Sequence, residues 1–182
     1  MIGQFIKGKV AVFIDAANIF YSERSLGWRI DYERLAKYLR QEAHIVELDY
    51  YTGIIEKSEK QRAFLKKLES FGYVVTAKEV KFIRLPGGSF ASKGSLDIEL
   101  ALDAYIRRNQ YDTCILFSGD SDFAYLFDVL KRDGKSVVVV STRGHISKEL
   151  VARAKYVALP KLREIIGRNQ KFKRPDKPAS EV

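Results

Sequence analysis

Short apolar runs alternate with amphipathic stretches along this chain, the pattern of an α/β fold around a parallel sheet. The run 10–16 predicts a first strand, whose apolar part Val10-Ala11-Val12-Phe13-Ile14 ends in Asp15. A polar, aromatic connection through Asn18, Tyr21 and Trp28 follows. Asp31 has the side chain of an N-cap for a helix over 32–42, where Leu35, Tyr38 and Leu39 share one face. A second strand is expected over 45–55. The helix after it, over 56–71, turns Phe64, Leu65 and Leu68 inward and stops at Gly72. The third run, 73–83, alternates and is more polar, so it belongs near a sheet edge. Leu85-Pro86-Gly87-Gly88-Ser89 reads as a loop that continues to Lys93-Gly94-Ser95, and Ser95 caps a helix over 96–108.

The second half is more regular. Thr113-Cys114-Ile115-Leu116-Phe117 is an apolar strand, followed by a helix over 121–132 and a stop at Gly134. The β-branched run 136–140 gives a fifth strand, and a helix over 147–154, a strand over 156–159 and a helix over 161–166 close the domain. The expected boundaries are one domain over 1–168 and a basic, flexible tail over 169–182. If the first three strands step outward, the chain must cross back so that strand 113–117 lies beside strand 10–16. The topological switch, where α/β sheets bind ligands, then falls between those two strands. The fold expected is a three-layer α/β sandwich, with a central, mainly parallel sheet and helices on both faces.

Composition changes this picture only slightly. The 182 residues suit one domain, and 46% hydrophobic content supplies an ordinary core. Lys and Arg outnumber Asp and Glu by 32 to 23, a formal net charge of +9. A basic chain with a focused acidic cluster suggests a polyanionic partner, although lysine that only aids solubility explains the excess equally well. The single Cys114 lies within an apolar strand and cannot form an internal disulfide, which fits a reducing compartment. His44 and His145 are far apart with no cysteines clustered near them, so a zinc site is not expected. No apolar run has the length of a membrane span or the pattern of a signal peptide, and the expected location is cytoplasmic.

The candidate chemistry lies in acids at strand ends. Ser118-Gly119-Asp120-Ser121-Asp122-Phe123 sets two carboxylates directly after one strand, and Asp15 closes another. Asp97 falls in the first turn of the helix that Ser95 opens. Each acid alone has an ordinary role, as a cap or beside a helix dipole. Their convergence on one sheet edge favours a cation, because two carboxylates about 4 Å apart repel by roughly 4 kcal/mol at an effective dielectric near 20. Oxygen-rich sites suit Mg²⁺ or Mn²⁺. Asp103 lies six positions beyond Asp97, about 120° round the helix, so it is a buried support or an exposed helix residue. Ser118 can donate a hydroxyl to a carboxylate or a phosphate, and Asn18 can support a turn.

Three segments together resemble the NYN domain family, PIN-like nuclease domains, and within it the LabA-like branch. They are Val-Phe-Ile-Asp15-Ala-Ala-Asn18-Ile-Phe, Lys93-Gly94-Ser-Leu-Asp97-Ile-Glu-Leu-Ala-Leu-Asp103 and Ser118-Gly-Asp120-Ser-Asp122-Phe. The resemblance covers nearly the whole chain, from Val10 to about Ile166, with the motifs in order. It implies a PIN-like α/β fold in which Asp15, Asp97, Asp120 and Asp122 bind Mg²⁺ or Mn²⁺ and cleave RNA. Asn18 would orient the phosphate or a water, and Asp103 would be a secondary member. One departure is Ala16-Ala17 before Asn18, where many relatives have glycine; it removes no charge.

The function expected is therefore a metal-dependent ribonuclease in which water is the nucleophile, leaving a 5′-phosphate and a 3′-hydroxyl. The alternative is an RNA-binding or regulatory module of the same fold with little turnover. A small-molecule phosphatase has less support, because the first strand's motif lacks a second aspartate placed for an aspartyl-phosphate mechanism. Lys93 and Arg143 are candidate phosphate contacts, although a role as ordinary solvated basic residues explains each equally well. Phe20, Tyr21 and Trp28 are candidates for stacking single-stranded RNA bases, although aromatics in such a connection more often cover the core. Lys171, Lys173, Arg174 and Lys177 of the tail either track a phosphate backbone or form a solvated end, two readings of equal weight. An edge strand and a basic surface also permit a homodimer.

Overall fold

Strand β1 (Lys9–Asp15) is apolar on both faces, and that places it at the centre of the sheet. Val10, Val12 and Ile14 face one core while Ala11 and Phe13 face another, and none of the five is exposed to solvent. Strand β6 (Thr113–Phe117) is buried at every position for the same reason. A strand covered on both sides reads as a continuous apolar run, the signature of a parallel sheet.

The computed structural model of this protein describes residues 2–55, 58–84 and 90–168. Its main sheet adds β2 (His44–Ile54), β3 (Val74–Glu79), β7 (Ser136–Ser141) and β8 (Lys155–Ala158) to β1 and β6. Every pairing is parallel, in the order β3-β2-β1-β6-β7-β8. The chain steps outward from β1 to β3 and returns to lay β6 beside β1, so the switch falls between them, as expected for strands that step outward. Ile14 pairs with Phe117 at the carboxyl end of that junction, one residue short of Asp15 and Ser118.

Helices α1 (Ala16–Leu26), α2 (Tyr32–Glu42), α3 (Glu59–Ser70) and α7 (Arg163–Ile166) contribute to the core on one face, around Ile19, Leu35, Leu39, Leu68 and Ile166. Helices α4 (Asp97–Ile106), α5 (Ala124–Arg132) and α6 (Lys148–Arg153) contribute to the opposite one, around Leu100, Phe127, Leu130 and Leu150. The result is a three-layer α/β sandwich. Helix α2 spans the residues its cap implied: the Asp31 carboxylate accepts from the N–H groups of Glu33 and Arg34, both at 3.1 Å. Such a cap contributes about 1 kcal/mol.

Two expectations are corrected. The polar connection after β1 is a full helix, α1, whose N-cap is Asp15 itself. The run 73–83 is two strands, not one. β3 ends at Glu79, and β4 (Lys81–Arg84) leaves the sheet to pair antiparallel with β5 (Phe90–Lys93) in a separate ribbon. Within this stretch, the loop 85–89 lies outside the described residues, as does the tail 169–182. Among the described residues no helix is long and apolar enough to cross a membrane.

Candidate active site at the carboxyl edge of the sheet

The end of β1 and the start of α1 meet the turn after β6 at the switch, and a lattice of hydrogen bonds from the side chains of Asp15, Asn18, Ser118 and Asp120 ties them together. The Asp15 carboxylate is nearly buried and caps α1 by accepting from the Asn18 N–H at 3.1 Å. Its other oxygen accepts from the hydroxyl of the fully buried Ser118 at 2.8 Å. Ser118 in turn accepts from the Asp120 N–H at 3.2 Å. The Asn18 side chain crosses the junction in the other direction, its Oδ1 accepting from the Gly119 N–H at 3.0 Å. Asp120 then caps the turn that follows by accepting from the Asp122 N–H at 3.0 Å. Burial raises the Asp15 pKa above the ordinary carboxylate value. Donation from Asn18 and Ser118 opposes the rise, and the negative charge of Asp97 adds to it.

Helix α4 brings the next acid. Ser95 precedes it, accepting from the Asp97 N–H at 3.2 Å while its hydroxyl bonds the Asp97 carboxylate. Asp97, Asp120 and Asp122 each offer a carboxylate oxygen, and these oxygens lie within 4.8 Å of one another. At that spacing each pair repels by between about 1 and 4 kcal/mol, depending on screening by water. Opposite ligands of an octahedral Mg²⁺ bound at 2.0–2.1 Å stand about 4.2 Å apart. The three carboxylates therefore fit a single hard cation after small side-chain movements. Asp15 stands beside this trio and is not part of it. With Asp97 and Asp120 it lines an open cavity of about 210 Å³, whose walls include Asn18, Tyr21, Tyr51 and Ser95.

Gly119 fixes how the two edge loops approach. A Cβ there would sit 1.7 Å from the carbonyl oxygen of His145, a backbone atom that cannot step aside. The Ser147 N–H donates to the Gly119 carbonyl at 2.9 Å, and His145 Nε2 meets the Ser25 hydroxyl at 2.5 Å. The 142–147 loop thus clamps the acid-bearing turn against α1.

The remaining candidates fall in different places. Asp103 is set back from the acids in a charged network. Its Oδ2 accepts from Tyr51 Oη at 2.7 Å and pairs with Arg107 Nη2 at 3.4 Å. Arg107 also reaches Glu47 at 2.7 Å and the buried Asp49 at 2.5 Å. Asp103 thus supports the wall of the cavity through Tyr51. Tyr51, Glu47 and Asp49 carry no signal at the sequence level, because their meeting with Arg107 depends on α4 packing over β2. Lys93 ends β5, just before the cavity residues Gly94 and Ser95, and its side chain lies outside the described residues. Arg143 is exposed beyond β7, acts electrostatically on Tyr156, and is not among the described residues lining the cavity. Phe20 and Tyr21 are 44% and 56% exposed, but Trp28 is buried in the core and cannot stack on RNA. Cys114 is fully buried, and that burial pushes its thiol up to about 12, a structural side chain rather than a nucleophile.

The NYN domain profile matches residues 9–160, a span that contains β1, the Asp97 helix and the Asp120 turn. The chain belongs to the NYN domain family. It is 35% identical over 177 residues to the "Low amplitude and bright protein LabA" of Synechococcus elongatus, covering 94% of this chain and 93% of that one. A crystal structure of a protein of unknown function from Vibrio parahaemolyticus is also similar. It superposes with a TM-score of 0.71 at 29% identity, over 84% of this chain and 93% of that one. This NYN domain therefore places an acidic cluster and its cavity at the switch point of a parallel sheet.

Proposed function

We propose that the protein is a Mg²⁺- or Mn²⁺-dependent ribonuclease acting on single-stranded RNA. The observation that carries this reading is the grouping of Asp97, Asp120 and Asp122 within 4.8 Å, with Asp15 on the same cavity. When bound there, a divalent cation supplies the positive charge that a phosphodiester needs and lowers the pKa of water. Asp97, Asp120 and Asp122 hold that charge in place. Asp15, raised in pKa by burial and fixed by Ser118, is positioned to take a proton from an attacking water. The Asn18 carbonyl oxygen is engaged by Gly119, and no described residue accepts from its amide N–H groups. Those donors are free to orient a phosphate oxygen. Lys93 and Arg143 are assigned as outer phosphate contacts.

The cavity of about 210 Å³ is open to solvent, so a substrate held at the acids can continue beyond it. A chain laid across the opening would meet the exposed ring of Tyr21, which lines the cavity and suits a splayed base. Water attack in line with the leaving 3′ oxygen gives a 5′-phosphate product. The test is a panel of labelled single-stranded RNA, single-stranded DNA and a small phosphate ester, each with Mn²⁺, Mg²⁺ or EDTA. Metal-dependent cleavage of RNA with 5′-phosphate ends is expected. Hydrolysis of the small ester alone would make the protein a phosphatase, and RNA binding without cleavage would make it a binding module.

A further inference from the structure

Helices α4 and α5 run side by side in the same direction. Asp97 and Asp122 meet at their N-terminal ends, and Arg108 bonds Asp133 at 2.7 Å just beyond their C-terminal ends. Their outer face is apolar. Ile98, Leu102, Tyr105, Ile106 and Tyr125 are between 36% and 73% exposed. Between the helices lies a groove of about 660 Å³ floored by Ala101, Leu126 and Val129. Together the five side chains expose the equivalent of about three complete large residues, on the order of 600 Å². That reaches the upper range for a monomer's largest apolar patch. With a polar rim it approaches the roughly 800 Å² per partner of a standard stable interface.

The patch offers both a ridge and a groove. Its ridge is α4, with Ile98, Leu102, Tyr105 and Ile106 at helical spacing, and its groove lies directly alongside. One end is acidic, at Asp97 and Asp122. The other carries Arg132, which stacks 5.8 Å over Tyr125 and has no carboxylate partner among the described residues. Two copies laid parallel would set acid against acid. A two-fold axis near Leu102 instead lays the helices antiparallel and sets each ridge in the other's groove, the isologous arrangement of a symmetric dimer.

We propose that a second copy of this chain covers the α4/α5 face in that antiparallel sense, and that Arg132 of each copy then borders the other copy's acidic site. Asp122 belongs both to the acid trio and to the groove wall, so the interface and the cavity share an edge. A phosphate approaching the acids would meet an arginine donated across the dimer, a charge-assisted contact. The role of Arg132 rests on the ribonuclease reading, whereas the pairing itself does not.

Sedimentation of the full chain tests the pairing without any activity measurement. A dimer is expected at micromolar concentrations, and Leu102→Glu and Tyr125→Glu should each give a folded monomer. Both positions are exposed, and circular dichroism checks the fold. A monomeric wild type, or dimers that persist in both variants, overturns the proposal. Orientation is read by disulfide trapping: Leu102→Cys should cross-link to itself, while Ile98→Cys and Ile106→Cys should cross-link only when mixed. Self-linking of Ile98→Cys would overturn the antiparallel sense. For Arg132, mixing inactive Asp120→Asn with an Arg132→Ala variant should restore about a quarter of wild-type cleavage, the share of complete sites under random pairing. Absence of recovery in mixtures shown to pair, beside an active wild type, overturns the trans role of Arg132.

Discussion

Ser118→Ala removes one oxygen from the centre of the lattice and should be costly out of proportion to its size. The hydroxyl is fully buried, donates to Asp15 at 2.8 Å and accepts from the Asp120 N–H at 3.2 Å. A hydrogen bond to an ionised partner contributes about 1.5–3 kcal/mol, and the loss leaves two groups at a nearly dry junction short of a partner. Some of that cost returns if water enters the space. A net loss of about 1.5–3 kcal/mol is expected, read as a lower midpoint in urea with an unchanged slope. For a chain of this length it corresponds to a fall in Tm of about 4–10 °C. The pKa of Asp15 should rise further, because Ser118 donation is one of the contacts lowering it. Cleavage should fall more than RNA binding, since Asp120 loses its tether and the arginine and lysine contacts do not. A change below about 0.5 kcal/mol would refute the reasoning, as it would mean that Ser118 does not hold the two acid-bearing segments together.

Three further perturbations probe other parts of the account. Gly119→Val drives side-chain carbons into the His145 backbone. It should cost at least about 1–3 kcal/mol by overpacking, and a melting curve matching wild type would contradict the clamp. Arg107→Leu leaves Asp49, Glu47 and Asp103 facing one another without their cation. A loss of about 3–5 kcal/mol is expected in chemical denaturation, with under 1 kcal/mol showing the network to be solvated. Asp49 also governs a pH response. Burial outweighs the nearby Arg107 charge and lifts its carboxyl to about 6. The folded state then holds the proton longer than the unfolded one. Stability from this group is complete below about pH 4 and is lost as pH rises to about 6. Asp49→Asn should flatten the stability profile over that window, and an unchanged slope would count against a raised Asp49.

Elements whose signals are local were legible in the sequence. Helix α2 begins where Asp31 can cap it, and β6 is a run of five apolar or small residues between Asp112 and Ser118. The placing of β6 beside β1 followed from supposing that the first three strands step outward. Helix α1 was hidden because Ser22 and Glu23 stand on its buried face beside Ala16 and Ile19, so no continuous apolar stripe marks it. The β4–β5 ribbon was hidden because 74–84 alternates without a break, although the chain changes partners at Val80.

The acids themselves were legible because each sits at a strand end or in a first helical turn. What supports them was legible only in part: donation from Ser118 to a carboxylate was expected, but Ser118–Asp15 spans 103 residues and Asn18–Gly119 spans 101, and no local pattern names such partners. The same holds for Arg107, which meets Glu47 and Asp49 only after α4 docks on β2. Trp28 takes the core role that aromatics in such a connection more often have, while Phe20 and Tyr21 stay exposed.

The most direct test of the central claim compares wild type with Asp97→Asn and Asp120→Asn, following single-turnover cleavage of a labelled single-stranded RNA in Mn²⁺ alongside RNA binding. The account predicts rapid cleavage by wild type, a loss of at least about a hundredfold in each variant, and RNA binding retained by all three proteins. Cleavage that survives in both variants, or a wild type that binds RNA and leaves it intact in Mn²⁺ and Mg²⁺ alike, would contradict it.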